Sequence, residues 1–114
     1  MQLLVYIMKK TELLPQVLAG FMREGITGTT VLDSQGALQL IHQKGVEDPP
    51  IFGSLRSFLN PQGNAEKMIL VVLEDALCEK AFQVIRETVD IEKPDTGIFF
   101  TLPVSHVEGL AKQN

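Results

Sequence analysis

Apolar residues in this chain are gathered into short runs divided by polar punctuation, and the spacing within each run differs by region. Leu3 to Met8 is a continuous apolar stretch with a polar stop after it, the pattern of a strand buried on both faces. Thr11 then reads as an N-cap and Glu12 as a first-turn acid. Leu14, Val17, Leu18 and Phe21 follow at three- and four-residue spacing, which predicts a helix through Arg23 with Pro15 tolerated near its start. Gly25 is placed to end that helix, and the β-branched Thr29 to Leu32 predicts a second strand. The second half repeats this order. Met68 to Leu73 is another short apolar run, and Glu74-Asp75 supplies helix-start chemistry. Leu77, Ala81, Val84, Ile85 and Thr88 mark one helical face, Lys93 to Gly97 is a turn cluster, and Ile98 to Leu102 is a fourth strand ended by Pro103.

Strand-helix-strand thus occurs twice, and neither half is large enough to cover a sheet of its own. The expected fold is α+β: a ferredoxin-like split βαβ sandwich with a four-stranded antiparallel sheet and two helices on one face. Right-handed crossovers place both helices on the same side. The other side of the sheet is then uncovered although its strands are apolar, and self-association is the expected remedy. Residues 1–114 are read as one domain, with an insert over 34–66 and a C-terminal tail over 103–114, where Val104, Val107 and Leu110 would pack. Within the insert, Leu38, Leu40 and Ile41 could extend the second strand. Leu55, Phe58 and Leu59 have helical spacing between Gly53 and Asn60. An insert this long in a compact domain usually carries function or disorder.

Composition narrows the class. The chain has 114 residues, 45% of them hydrophobic, and a net charge of −4, which argues against a protein built to coat nucleic acid or anionic lipid. One cysteine excludes an intramolecular disulfide framework and fits a reducing compartment. No leader is recognised ahead of Leu3, and no run approaches the roughly eighteen apolar residues of a membrane helix. The expected location is the cytoplasm, with no membrane insertion and no nucleic-acid partner.

Gly25-Ile26-Thr27-Gly28-Thr29-Thr30-Val31 resembles the segment joining first helix to second strand in the PII nitrogen-regulatory signalling family. Val71-Val72-Leu73-Glu74-Asp75 matches that family's strand-to-helix junction, and Gly97-Ile98-Phe99-Phe100 with Leu102-Pro103-Val104 is similar to its last strand. The likeness spans nearly the whole chain, long insert included. It implies a homotrimer, small effectors in the clefts between subunits, and a long loop (the T-loop) that touches a regulated target such as a transporter, an enzyme or a transcription factor. It also implies that Thr30, Gly36 and Val71 line an adenine-nucleotide pocket, with Asp33 bordering the cleft and Gly97 in the loop ahead of the last strand. Leu38, Ser54, Arg56 and Phe58 belong to the partner-binding loop.

The chain departs from that family's pattern at the phosphates. Glu92 to Gly97 holds a single glycine beside the acids Glu92 and Asp95, Gly97 stands where the family has a phosphate-binding lysine, and Leu38 replaces a glycine. The tail offers only Lys112 in place of arginines. Between Glu74 and Asp95 there are seven acids against three basic residues. Such a loop lowers triphosphate affinity or redirects the pocket to a less charged ligand. The one tyrosine is Tyr6, on the first strand, so tyrosine modification in the loop is excluded.

The other chemistry-bearing residues have plain structural explanations. His42 and His106 lack a third ligand at metal spacing, so His42 is expected in solvent and His106 in the tail turn. Cys78 lies near a helix start that could lower its pKa, yet no base accompanies it and a half-buried structural thiol is expected. Glu74 and Asp75 are better explained by capping than by acid-base work. Asp33 divides between turn residue and cleft residue. Gly53 to Arg56 could hold an anion at a short helix start, or only dock on the assembly. The expected function is therefore a non-enzymatic, trimeric effector sensor whose loop controls a partner, with an adenine nucleotide as the candidate effector and no other cofactor or metal. The alternatives are a small ferredoxin-like enzyme of the acylphosphatase kind, a CutA-like metal-binding trimer and a purely structural trimer. Met8 to Thr11 lacks the glycine-rich cradle the enzyme would need.

Overall fold

A computed structural model of the chain describes residues 1–37 and 66–110. Its elements run β1 (Gln2–Met8), a 3-10 turn (Thr11–Leu13), α1 (Leu14–Arg23), β2 (Thr30–Ser34), β3 (Glu66–Leu73), α2 (Asp75–Thr88) and β4 (Gly97–Pro103). The four strands form one sheet in the order β2-β3-β1-β4, with every neighbouring pair antiparallel. This is the expected α+β, ferredoxin-like architecture. The expectations for Leu38, Leu40, Ile41, His42, the 53–60 helix with Ser54, Arg56 and Phe58, and Lys112 lie outside the described residues.

The alternation of side chains across a strand divides the sheet into two faces. Leu4, Tyr6 and Met8 of β1 and Ile69, Val71 and Leu73 of β3 are almost wholly enclosed. They form one core with Val17 and Phe21 of α1 and Leu77, Ala81, Val84 and Ile85 of α2. Four of the five residues that the spacing assigned to the face of α2 are buried. The fifth, Thr88, turns its hydroxyl back to the Val84 carbonyl at 2.7 Å. On α1 the apolar stripe has one unforeseen member. Gly20 is buried, and a Cβ there would lie 2.5 Å from a methyl of Val84. The glycine lets the two helices approach.

The helix ends differ from the sequence expectation in instructive ways. Thr11 does not cap α1. It begins the 3-10 turn, and neither that turn nor α1 has a side-chain cap hydrogen bond. The tighter turn absorbs the orphan amides that a capping hydroxyl would have met. The far end of α1 follows expectation closely: Gly25 has φ of 79°, its N–H donates to Met22 O, and Ile26 N–H donates to Phe21 O. These two bonds define a Schellman motif, and Ile26 and Phe21 close it by entering the core together. At α2, Glu74 occupies the N-cap position without a side-chain cap bond, and the cap contact is Leu77 N–H to Glu74 O at 2.9 Å. Asp75 is bonded to the Met1 amino group at 2.8 Å. Helix-start position, rather than side-chain capping, explains this acidic pair.

The opposite face of the sheet carries Leu3, Val5 and Ile7 of β1, Met68, Leu70 and Val72 of β3, Leu32 of β2, and Ile98, Phe100 and Leu102 of β4. No described element covers it. Leu32 is 45% exposed, Ile98 56%, Phe100 41% and Leu102 49%. The apolar strands are thus sealed on one side only within a single chain.

Candidate functional site

One end of the sheet collects most of the candidate residues. Asp33 lies opposite Lys67, Lys67 opposite Met8, and Met8 opposite Gly97, so a single row of residues crosses all four strands. At the usual strand spacing, Asp33 and Gly97 are roughly 14 Å apart at the two edges of the sheet. The insert leaves and returns beside Ser34 and Glu66, at the β2 edge of this row.

The segment joining α2 to β4 approaches the same row from the other edge. Val89 leaves α2 in an extended conformation and is buried, its N–H donating to Ile85 O at 2.8 Å. Lys93 N–H donates to Asp90 O at 3.0 Å, which closes a turn. Thr96 is nearly fully buried, which its hydroxyl tolerates by donating between the carbonyls of Lys93, at 2.9 Å, and Ile91, at 3.2 Å. The Thr96 carbonyl accepts from Lys9 N–H at 3.3 Å, which fixes the loop to the end of β1. Asp95 takes φ of 61° and Gly97 takes 123°. A Cβ on Gly97 would lie 2.2 Å from the Ile7 carbonyl oxygen. This glycine is therefore required by the β1–β4 junction, and a lysine could not replace it without rebuilding that junction.

The electrostatics of the loop are mixed. Lys93 lies 3.8 Å from an Asp90 carboxylate oxygen and Lys9 lies 3.8 Å from Asp95. An open cleft of about 350 Å³ at the C-terminal end of α2 is lined by residues from Arg86 to Glu92. Arg86 bonds to Glu79 at 2.9 Å and lies over the Phe82 ring, 5.8 Å from its centre. Phe82 stacks on Phe99, which meets Tyr6 edge-on, so a line of rings runs from this surface into the core.

The other expected site residues are distributed as follows. Thr30 is exposed on the open face of β2, opposite Leu70. Asp33 is a strand residue, not a turn residue, and is ion-paired with Lys67 across the strands. The second strand extends two residues further than its β-branched run suggested, and this carries Asp33 into the ladder. Gly36 is half-buried beside Glu66, where a Cβ would lie 3.0 Å from the Glu66 Oε1. Val71 is 2% exposed and belongs to the helix-covered core, so it presents no surface within one chain. Thr30, Asp33 and Gly36 therefore share one edge, Gly97 stands at the other, and Val71 is enclosed between the layers.

Three further groups complete the inventory. Cys78 is half-buried, as expected, and burial, with the Asp75 carboxylate nearby, raises its thiol where a helix start could have lowered it; the Met1 amino group opposes the rise. His106 is exposed and lies 2.8 Å from Glu108, while Val104, Val107 and Leu110 are half-buried as expected. Tyr6 is enclosed on the helix side of the central strand, its hydroxyl has no partner among the described residues, and burial pushes its pKa up to about 12. Its place within an apolar run gave no sign of the isolated hydroxyl. Thr96 was equally hidden inside a turn cluster. Among the described residues, no three metal-ligating side chains converge, and no helix is long and apolar enough to cross a membrane. No protein-family model matches the chain, and no curated protein matches it significantly.

Proposed function

We propose that this chain is a PII-like signal-transduction regulator: a trimeric, non-enzymatic sensor that binds a small effector between subunits and acts on a partner through the 34–66 insert. The observation that supports it best is the position of Asp33 and Gly97, which stand in one row at opposite edges of one sheet end, roughly 14 Å apart across four strands. Gly36 follows Asp33 on the β2 side, and Thr30 lies further along the same edge strand on its other face. One chain cannot wrap a small molecule with both sets. A neighbour whose β4 edge approaches this chain's β2 edge brings them together, and the insert begins and ends at that junction. An effector bound there biases the insert between two arrangements of similar free energy, which is what a switch requires.

An adenine nucleotide is the candidate effector, with adenosine-type or monophosphate ligands favoured over triphosphate. The loop's carboxylates outnumber its cations, and Gly97 cannot yield to a phosphate-binding lysine. The partner is a transporter, an enzyme or a transcription factor. Calorimetric titration with ATP, ADP, AMP and cyclic AMP tests the proposal directly. Heat with at least one nucleotide is expected, weakest with ATP. The absence of heat with all four removes the nucleotide. Deletion of residues 37 to 64 tests the regulatory part: a regulator loses its cellular role, whereas a purely structural trimer keeps it.

A further inference from the structure

We infer that the effector is an uncharged aminoheterocycle of the adenine type, a nucleoside or free base, and that the main chain of Asp33 at the β2 edge reads it. This rests on the regulatory reading for the place of the ligand. It adds which atoms hold the ligand and what they select.

Each residue of an antiparallel ladder turns its N–H and C=O to one side, and the next residue turns them to the other. Val104 N–H donates to Met1 O at 3.1 Å and Lys9 N–H to Thr96 O at 3.3 Å, so the odd-numbered residues along β1 bond toward β4. The even-numbered ones bond toward β3, where they meet Lys67, Ile69, Val71 and Leu73. Glu66, Met68 and Leu70 of β3 are then turned to β2 and meet Ser34, Leu32 and Thr30. Val31 and Asp33 are left over. Their N–H and C=O groups point away from the sheet, and no strand lies beside them among the described residues. Main-chain groups of this kind require partners. Asp33 is the one that ends the row shared with Gly97, where the effector is placed. Its carboxylate is already ion-paired with Lys67, so the main chain is the free recognition element. Leu32, 45% exposed, rises on the open side of this edge, and Val31, 37% exposed, on the helix side. A flat ring in the plane of the sheet is thus bordered by apolar side chains above and below.

One edge residue offers a donor and an acceptor side by side, aimed the same way. The complement is an amino donor next to a ring-nitrogen acceptor, which adenine carries. Neither group is charged, so the contact needs no cation. A phosphate adds nothing here, because Glu92 and Asp95 face it with Lys93 alone, and Lys93 lies 3.8 Å from Asp90. Calorimetry on the full chain compares adenosine, AMP, purine riboside, which lacks the amino group, and N6,N6-dimethyladenosine, which blocks it. Adenosine is expected to bind within about threefold of AMP, and the two altered nucleosides at least about tenfold more weakly than adenosine. Amide hydrogen exchange read by NMR is the second measurement. Asp33 N–H should exchange freely without ligand and slow about tenfold or more at saturating adenosine, while Leu32 N–H, bonded within the ladder, is slow in both states. Adenosine more than about tenfold weaker than AMP, or purine riboside equal to adenosine, would overturn the inference. So would an Asp33 amide that ignores the ligand, or one already protected without it, which would mean that a strand occupies the edge. Each of these leaves the nucleotide sensor standing, whereas no binding by any of the four ligands removes both.

Discussion

The two faces of the sheet are built from the same kinds of residue and differ in what lies over them. Leu4, Tyr6, Met8, Ile69, Val71 and Leu73 meet two helices and lose nearly all their exposure. Leu32, Ile98, Phe100 and Leu102 have only strand neighbours beside them, no described helix above them, and keep about half of theirs. Hydrophobicity alone therefore does not report burial in this fold. A continuous apolar run states that both faces of a strand are to be covered, and topology decides that the chain itself covers only one.

The contrast can be broken most forcefully from the covered side. Phe21→Ala removes a fully buried ring between α1 and the sheet and should cost about 3 to 5 kcal/mol in denaturant unfolding. The matching change on the open side, Leu102→Ala, should cost under about 1 kcal/mol in a lone chain. A cost for Leu102→Ala approaching that of the core substitution would mean that the open face is covered in solution.

Alkaline titration sharpens the same contrast through Tyr6. In the unfolded chain a tyrosine ionises near pH 10. In the fold, burial holds it neutral up to about 12. The folded state keeps its proton longer, so this contribution is intact below pH 10 and is lost as pH rises through 12. The loss amounts to about 3 kcal/mol at most. Tyr6 is the only tyrosine and there is no tryptophan, so phenolate absorbance reads its ionisation without interference. Tyr6→Phe should remove the larger part of the alkaline slope, leaving the part that the raised Cys78 thiol supplies, and leave neutral-pH stability unchanged or raised by up to about 1 kcal/mol, since it removes a buried hydroxyl with no partner among the described residues. A slope of undiminished size in Tyr6→Phe would place the main titrating group elsewhere.

Gly20→Ala probes the contact between the covering helices. The added methyl would lie 2.5 Å from the end of the Val84 side chain, which can turn away only in part. A net loss of about 1 to 2 kcal/mol in thermal or denaturant unfolding is expected, after about 1 kcal/mol is regained from helix propensity. The smallest effect belongs to Asp33→Asn. It breaks an exposed cross-strand pair with Lys67 and should change stability by less than about 1 kcal/mol, while effector affinity, measured calorimetrically, falls if Asp33 borders the ligand.

Much of the architecture was legible because it depends on periodicity, which a sequence displays openly. The runs at Leu3 to Met8 and Met68 to Leu73, the helical stripes and Gly25 all appear where their spacing places them. The local details that failed share a different cause. Thr11 looked like a cap because capping is a side-chain property, yet a 3-10 turn of backbone met the same need. Cys78 is half-buried, as expected of a structural thiol, but its thiol responds to burial and to Asp75 rather than to the helix start. Gly20 and Gly97 are demanded by Val84 and by the Ile7 carbonyl, contacts between residues far apart in the chain that no local pattern announces. The candidate site was least legible for the same reason. Asp33 and Gly97 share a row only once three strand registers are known.

Gly97 also bears on how this chain can change over time. Every substitution there adds a Cβ that meets the Ile7 carbonyl at 2.2 Å and must adopt φ near 123°. Any base change that alters the residue therefore leads to one this junction rejects, and the larger basic ones are rejected with the rest. Any lineage that acquired a phosphate-binding cation at this point would first have had to remodel the start of β4. The position works as a one-way gate in sequence space, and new affinities at this end of the sheet are more accessible through its freer neighbours, such as Glu92 or Lys93.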